Sequence, residues 1–571
     1  MTVTVADAIA QALKRHGISI IFGQSNPTAL MLAAEKIGIR QLFYRTENAA
    51  GVMADGYSRI CNRIGAMAVQ NGPAATLAVA PMAEAMKASI PMIILAQEVP
   101  ASQRDRNAFQ ELDHFALFAG VSKWTRRVDD PGRAEDMVDL AVTVANSGRP
   151  GPVVLLFPKD ILTQPAQPPL FARTADLGMF PLDRPRPARD AVARAAALLA
   201  EAKAPLIIAG GGIHVSGAVE ELGLLQKRAF LPVATTNMGK GAIDENAPLS
   251  IGVAANVTGV RGPAYFNREI ITEADVVLLV GTRTNENGTD AWTLTSQNAQ
   301  YIHVDVDPLE IGRNYEAVRL LGDARSALDD LREALETLDL TARRTAAETL
   351  IPRIAQGRAR HTELMAPLAR SQATPIAPER LMLELDALLL PDDIVVADAS
   401  YASIWVSSHL TAQRAGQRFL LPRGLAGLGW GVPLGMGAKL ARPDARVIAI
   451  VGDGGFAHIW SELETAVRED VPVVVVILNN GILGYQRHAE NFLYGETTSA
   501  IPFAPTDHVA IAEAVGAVGW LVRNPEDIAP TLKQALESGK TSVIDVVIDP
   551  DAYAPVRAWD GHEERINAEL T

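Results

Sequence analysis

The chain has 571 residues, 48% hydrophobic and 21% charged, a globular balance that excludes a disordered or fibrous protein and asks for about three domains rather than one core. With 66 acidic side chains against 52 basic ones the net charge is −14, so no nucleic-acid partner is expected. The single cysteine, Cys61, excludes an intrachain disulfide and a thiolate metal cage, and no stretch reads as a signal peptide or a membrane span, so a cytoplasmic protein without a membrane partner is expected.

In chain order, the segment ADAIAQALKRHG reads as an amphipathic helix. Short β-branched runs then alternate with helical stretches: GAMAVQ, PMIILAQ and GPVVLLFP, then APLIIAGGG, ADVVLLVG and AQYIHVDVD, and finally DDIVVAD, ARVIAIVGDGG, VPVVVVILNN and TSVIDVVID. Continuous apolar strands separated by helices predict an α/β protein of doubly wound parallel sheets, covered on both faces. Two segments read as linkers: the Pro-rich stretch Thr163–Asp190 and the Arg- and Ala-rich stretch Arg343–Leu381. They divide the chain into 1–165, 190–340 and 375–571, the first and last being similar in pattern.

The sharpest local signal is Gly452-Asp453-Gly454-Gly455 closing the run RVIAIV, with Asn479-Asn480 closing VPVVVVIL; Asn480 lies 27 residues after Asp453. Ligands of parallel sheets sit at the carboxyl ends of strands, where glycines let the backbone approach a phosphate. A carboxylate and an amide oxygen are hard ligands of the kind Mg²⁺ takes while it bridges to phosphate. One Gly-Asp-Gly turn also serves as an ordinary strand-to-helix corner; two such strand ends at this separation are a stronger signal.

This pair resembles the metal–diphosphate motif of thiamine-diphosphate-dependent enzymes, and the resemblance covers nearly the whole chain. It implies thiamine diphosphate and Mg²⁺, with Asp453, Asn480 and the carbonyl of Ile482 as metal ligands and Gly452, Gly454 and Gly455 beside the diphosphate. The segment RGLAGLGWGVPLGMGA resembles the family's GLGxMGxGLPxAxGA. There Leu428 takes the place of the apolar wedge under the cofactor, and Ala426 that of the residue whose carbonyl accepts from the aminopyrimidine. FYRTENAAGVMADGYSRI resembles RHExxAxxMAxGYAR and implies that Glu47 hydrogen-bonds the pyrimidine and promotes removal of the thiazolium C2 proton, with Thr46 standing where His is usual. On its own, a Glu before a helix is also an ordinary dipole partner. The family places the cofactor between the first domain of one subunit and the third of another, which implies at least a homodimer, a homotetramer being common.

Within the family the chain resembles acetolactate synthase. AQEVPASQRDRNAFQE and GRPGPVVLLFPKDI follow its GQVPxxxIGTDAFQE and GRPGPVLVDLPKDV, implying that Gln110 is catalytic and that Phe109 and Lys159 lie near substrate. The expected activity is decarboxylation of a pyruvate-like 2-keto acid followed by carboligation to a second carbonyl. The alternatives are a decarboxylase, a 2-hydroxy ketone or acyl-CoA lyase, or a flavin-dependent oxidase. Several positions depart from the family. Its GYPGG loop is Gly23-Gln24-Ser25-Asn26-Pro27, leaving Gln24 and Ser25 as polar candidates for the substrate pocket. Where the family has GMVxQW after Asn-Asn-Gly, this chain has Gly484-Tyr485-Gln486-Arg487-His488-Ala489; Tyr485 and Gln486 make a more polar pocket, while Arg487 and His488 also fit a solvated surface. There is no His-His pair of the decarboxylase kind; His114 is expected on a helix surface, and His458 follows the Gly-Asp-Gly motif. In the middle domain Arg283 matches the family's flavin segment but the acidic pair after it does not, and Asp305 and Asp307 fit either ribose or helix caps. FAD, ADP or an empty site all remain open there.

Overall fold

The computed structural model describes residues 3–169 and 171–560; the extreme ends of the expected first and third domains and Leu170 lie outside the described residues. Three six-stranded sheets, every paired strand parallel, follow one another along the chain. The first contains β1 (Ile20–Gly23), β2 (Arg40–Leu42), β3 (Gly65–Val69), β4 (Met92–Glu98), β5 (Trp124–Arg127) and β6 (Val153–Pro158), in the order 2-1-3-4-6-5. The second contains β7 (Pro205–Ala209), β8 (Val233–Thr235), β9 (Ser250–Val253), β10 (Val276–Val280), β11 (Gln300–Asp305) and β12 (Ala317–Leu321), in the order 12-11-10-7-8-9. The third contains β13 (Ile394–Ala397), β14 (Arg418–Leu420), β15 (Val447–Gly452), β16 (Val474–Asn479), β17 (Val518–Val522) and β18 (Ser542–Val547), in the order 14-13-15-16-18-17. The first and third sheets therefore share one strand order, and the middle sheet has the order of a dinucleotide-binding fold.

The central strands are buried on both faces, as their unbroken apolar runs require. In β4, Ile94 and Ala96 face one core while Ile93 and Leu95 face another. The first of these cores continues into the third sheet through Val396, Ala449 and Val475, so the first and third domains are cemented by one apolar cluster. Helices Glu47–Cys61 and Gly431–Ala441 meet inside it at close range. A Cβ on Gly56 would overlap the carbonyl of Leu434, and one on Gly437 the carbonyl of Met53. Neither backbone can yield, so Gly437→Val should destabilise the protein by about 3 kcal/mol through overpacking, measurable as an earlier calorimetric transition.

The Arg- and Ala-rich stretch expected as a linker is instead a helix over Thr341–Ala369. Ile354 and Met365 are buried along it, Ile354 in the middle-domain core, which explains why an irregular sequence pattern still forms a helix. Among the described residues no helix is long and apolar enough to cross a membrane.

Candidate functional site

The reversal of strand order in the third sheet falls between β13 and β15, the place where parallel sheets open a crevice at their carboxyl ends. Three strand ends meet there. After β15, Asp453 is buried, and its Oδ2 accepts the Gly481 amide hydrogen at 2.9 Å, tying the end of β15 to the turn after β16. In that turn Asn480 Oδ1 accepts from the Ile482 amide at 3.2 Å, and Gly481 has φ +68, a left-handed value that suits glycine. The turn is roofed by the segment around Pro502: Leu483 N–H donates to the Ile501 carbonyl and Phe503 N–H to that of Gly481. Burial pushes the Asp453 carboxyl up to about 6, against the Gly454 and Gly481 amides, which favour its anion. A divalent cation would supply the solvation this carboxylate lacks, and a carboxylate beside an amide oxygen is a donor set of the kind Mg²⁺ takes.

The loop carrying Ala426 and Leu428 is gripped at both ends by buried acids that the sequence reading passed over. Glu84, from the first domain, accepts the amides of Gly424 at 2.8 Å and Leu425 at 2.5 Å. Asp398, just after β13, accepts those of Gly429 at 3.0 Å and Trp430 at 3.2 Å. Burial raises the Asp398 carboxyl to about 6, opposed by these amides and that of Ala399. Gly455 must be glycine, since a Cβ there would strike Asp398 Oδ2. Ala426 holds φ +61 between the two grips. A cavity of about 520 Å³ opens at this point and brings together Ala426, Leu428, Gly452, Asp453, Gly454, Gly455, Asn480, Ile482, Tyr485 and Gln486, and also Tyr401 and Arg423. The size suits a cofactor-sized ligand.

The candidates of the first domain do not line this cavity in the same chain. They cluster instead near the carboxyl ends of the first sheet. Glu47 opens helix Glu47–Cys61, and the two residues before it are fixed from the third domain: Glu462 accepts the amides of Arg45 at 3.0 Å and Thr46 at 2.9 Å. Gln24 donates to the Tyr44 carbonyl at 2.9 Å, and Ser25, exposed, has φ +63. Gln110, at φ +62, is held on two sides: its Oε1 accepts from Gln70 at 2.9 Å and its carbonyl from Asn71 at 3.0 Å. Phe109 is 85% exposed, a surface aromatic with nothing in its own chain to cover it, and Lys159 is exposed.

Several histidines and their neighbours differ from expectation. His114 is not on a helix surface: it is buried, accepts the Gly72 amide at 3.3 Å and lies 3.4 Å from Glu98. Burial would raise the Glu98 carboxyl, but hydrogen bonds from Arg127 and His114 hold it down at about 2. His488 is buried too, 2.5 Å from the Tyr401 hydroxyl and stacked on Tyr553, so it is not solvated. Arg487 pairs with Asp551 at 2.5 Å, away from the cavity lining, and His458 is exposed beside Gly429.

In the middle sheet the order reverses between β7 and β10, where Gly212 N–H donates to the Gly281 carbonyl at 2.9 Å. A second cavity, about 120 Å³, lies there, lined by Gly211, Gly212, Gly281, Arg149, Arg283 and Asp305 among others. Burial raises Asp305 to about 6. Asp307 turns away from this lining, accepting the Leu309 amide at 2.9 Å and lying 3.4 Å from Arg149.

Comparison with known proteins matches these three units separately. Residues 3–117 match the thiamine pyrophosphate enzyme N-terminal TPP binding domain, 192–331 the central domain and 398–546 the C-terminal TPP binding domain. A probable acetolactate synthase large subunit of Methanocaldococcus jannaschii is 34% identical over 564 residues, 96% of this chain and 93% of that protein. The acetolactate synthase large subunit of Parasynechococcus marenigrum is 34% identical over 95% of this chain and 87% of its own. Isozyme 3 of the Escherichia coli large subunit is 29% identical over 95% and 94%. The chain therefore belongs to the thiamine pyrophosphate enzyme family, and along nearly its full length it is similar to the large subunits of acetolactate synthase.

Proposed function

We propose that the protein is a thiamine-diphosphate-dependent carboligase that decarboxylates a pyruvate-like 2-keto acid and joins the remaining fragment to a second carbonyl compound. The observation that carries this reading is the convergence of Asp453, Asn480, Ile482, Ala426 and Leu428 on one cavity at the crevice of the third sheet. When bound there, thiamine diphosphate supplies the electron sink for loss of CO₂. Asp453, Asn480 and the Ile482 carbonyl would hold Mg²⁺ and the diphosphate end of the cofactor, while Leu428 would support its rings and the Ala426 carbonyl would take the amino group. Glu47 of a second copy faces the pyrimidine and moves the proton that activates the cofactor; its absence from the lining of its own chain's cavity supports a homodimer or a higher homo-oligomer. Gln24, Ser25, Phe109, Gln110 and Lys159 then border the substrate from the partner side, with Tyr485 and Gln486 opposite. Arg149, Arg283 and the glycines of the middle cavity support a nucleotide there, FAD or ADP. The unpaired Cys61 accords with a cytoplasmic setting.

Mass-spectrometric product analysis tests the reading. Protein, thiamine diphosphate and Mg²⁺ are incubated with a panel of 2-keto acids, with and without FAD. A C–C-ligated product is expected; aldehyde and CO₂ as the sole products, or O₂ uptake in proportion to keto acid consumed, would replace carboligation by decarboxylase or oxidase chemistry.

A further inference from the structure

Arg423 stands at the wall between the two cavities, which share it and Asn287 in their linings. Its Nε and Nη2 are shielded from solvent and have no hydrogen-bond partner among the described residues. Glu84 lies near but is already used: its two oxygens accept the amides of Gly424 and Leu425, with Arg59 3.5 Å from one of them. No ion pair of Arg423 is found among the described residues, and burial pulls its guanidinium down to about 10. A guanidinium withdrawn from water without a counter-ion is costly, and its planar fork matches a carboxylate. In the middle cavity Arg149 is engaged by Glu310 at 3.1 Å and Asp307 at 3.4 Å, which leaves Arg283 for an anion there, whereas Arg423 is the only Lys or Arg among the described residues lining the 520 Å³ cavity. The wall around it is polar as well, with Tyr401, Tyr485 and Gln486.

We infer that Arg423 is a specificity-determining residue that receives a carboxylate carried by the 2-keto acid in addition to the one lost as CO₂. The preferred substrates are then dicarboxylic 2-keto acids. This inference rests on the reading of the cavity given under Proposed function and narrows its substrate class.

The test has two arms. In the first, kcat/KM is measured for 2-oxoglutarate and for 2-oxobutyrate in the wild type, Arg423→Gln and Arg423→Lys. The substitution to Gln should lower the value for the dicarboxylic acid about 30- to 100-fold more than that for the monocarboxylic one, the loss of a charge-assisted contact, and Lys should restore part of it. In the second, calorimetry follows binding of glutarate, which has no ketone and cannot react, and of ADP. Glutarate should bind the wild type at least tenfold more tightly than Arg423→Gln, with ADP affinity changed little. Equal losses for both keto acids, or ADP affinity falling while glutarate binding is unaffected, would overturn the inference, the latter assigning the guanidinium to nucleotide phosphate. A thermal melt identifies a variant that fails to fold, in which case Arg423→Lys alone decides. The glutarate arm needs no turnover, so a wild type that consumes no 2-keto acid refutes the carboligase reading without silencing the reading of Arg423.

Discussion

Glu47→Gln is expected to slow hydrogen–deuterium exchange at C2 of bound thiamine diphosphate at least about 100-fold, and kcat with it, while cofactor affinity changes little. Proton transfer through a positioned side chain contributes about 10²–10⁴-fold, and Gln keeps the shape of Glu without its exchangeable acid. The substitution leaves the local fixings in place. Glu462 still grips the amides of Arg45 and Thr46, and the Thr46 hydroxyl still accepts the Ala49 amide at 3.3 Å. A fall in activity with unchanged melting temperature and cofactor binding therefore isolates the proton transfer. Exchange at the wild-type rate in Glu47→Gln would remove this residue from the proposed chemistry.

Asp453→Ala should weaken thiamine diphosphate binding in the presence of Mg²⁺ at least about 100-fold. Two losses would combine in it: the charge of the proposed metal ligand, and the bond that joins the ends of β15 and β16 through the Gly481 amide. Asp453→Asn separates them. An Asn side-chain oxygen can still accept from Gly481, so it preserves the turn while removing the charge. If the metal role dominates, calorimetric titration finds Asn nearly as impaired as Ala, and chelation of the wild type with EDTA gives a similar loss. Wild-type affinity in Asp453→Ala would exclude the metal assignment.

Much of this was legible in the chain because buried parallel strands are written as unbroken apolar runs, and because residues that line the crevice follow such runs directly. Asp453 and Asn480 stand out for that reason. Asp398 closes the run DDIVVAD in the same way, yet its work is to hold backbone amides, and nothing local separates such a carboxylate from a surface one. Glu84 and Glu462 are hidden for the same reason: each meets its partners across a domain boundary, hundreds of residues away in sequence. His114 begins a short helix, where a polar residue is ordinarily exposed; it is instead buried, with Glu98, Gly72 and the ring of Phe118 against it. The short edge strands, such as Arg40–Leu42 and Trp124–Arg127, lack an apolar run, so the strand orders and the identity of order between first and third sheets emerge only from pairing.

The apolar cluster shared by the first and third sheets also bears on how the chain is made. Synthesis delivers the first domain early, but helix Glu47–Cys61 completes its burial only against Gly431–Ala441, which leaves the ribosome after the whole middle domain. The middle sheet closes a core of its own and can fold as it emerges, whereas the nascent first domain carries an uncovered apolar face throughout that interval. Such a face is of the kind that molecular chaperones bind, and covering it requires contact between helices hundreds of residues apart in sequence.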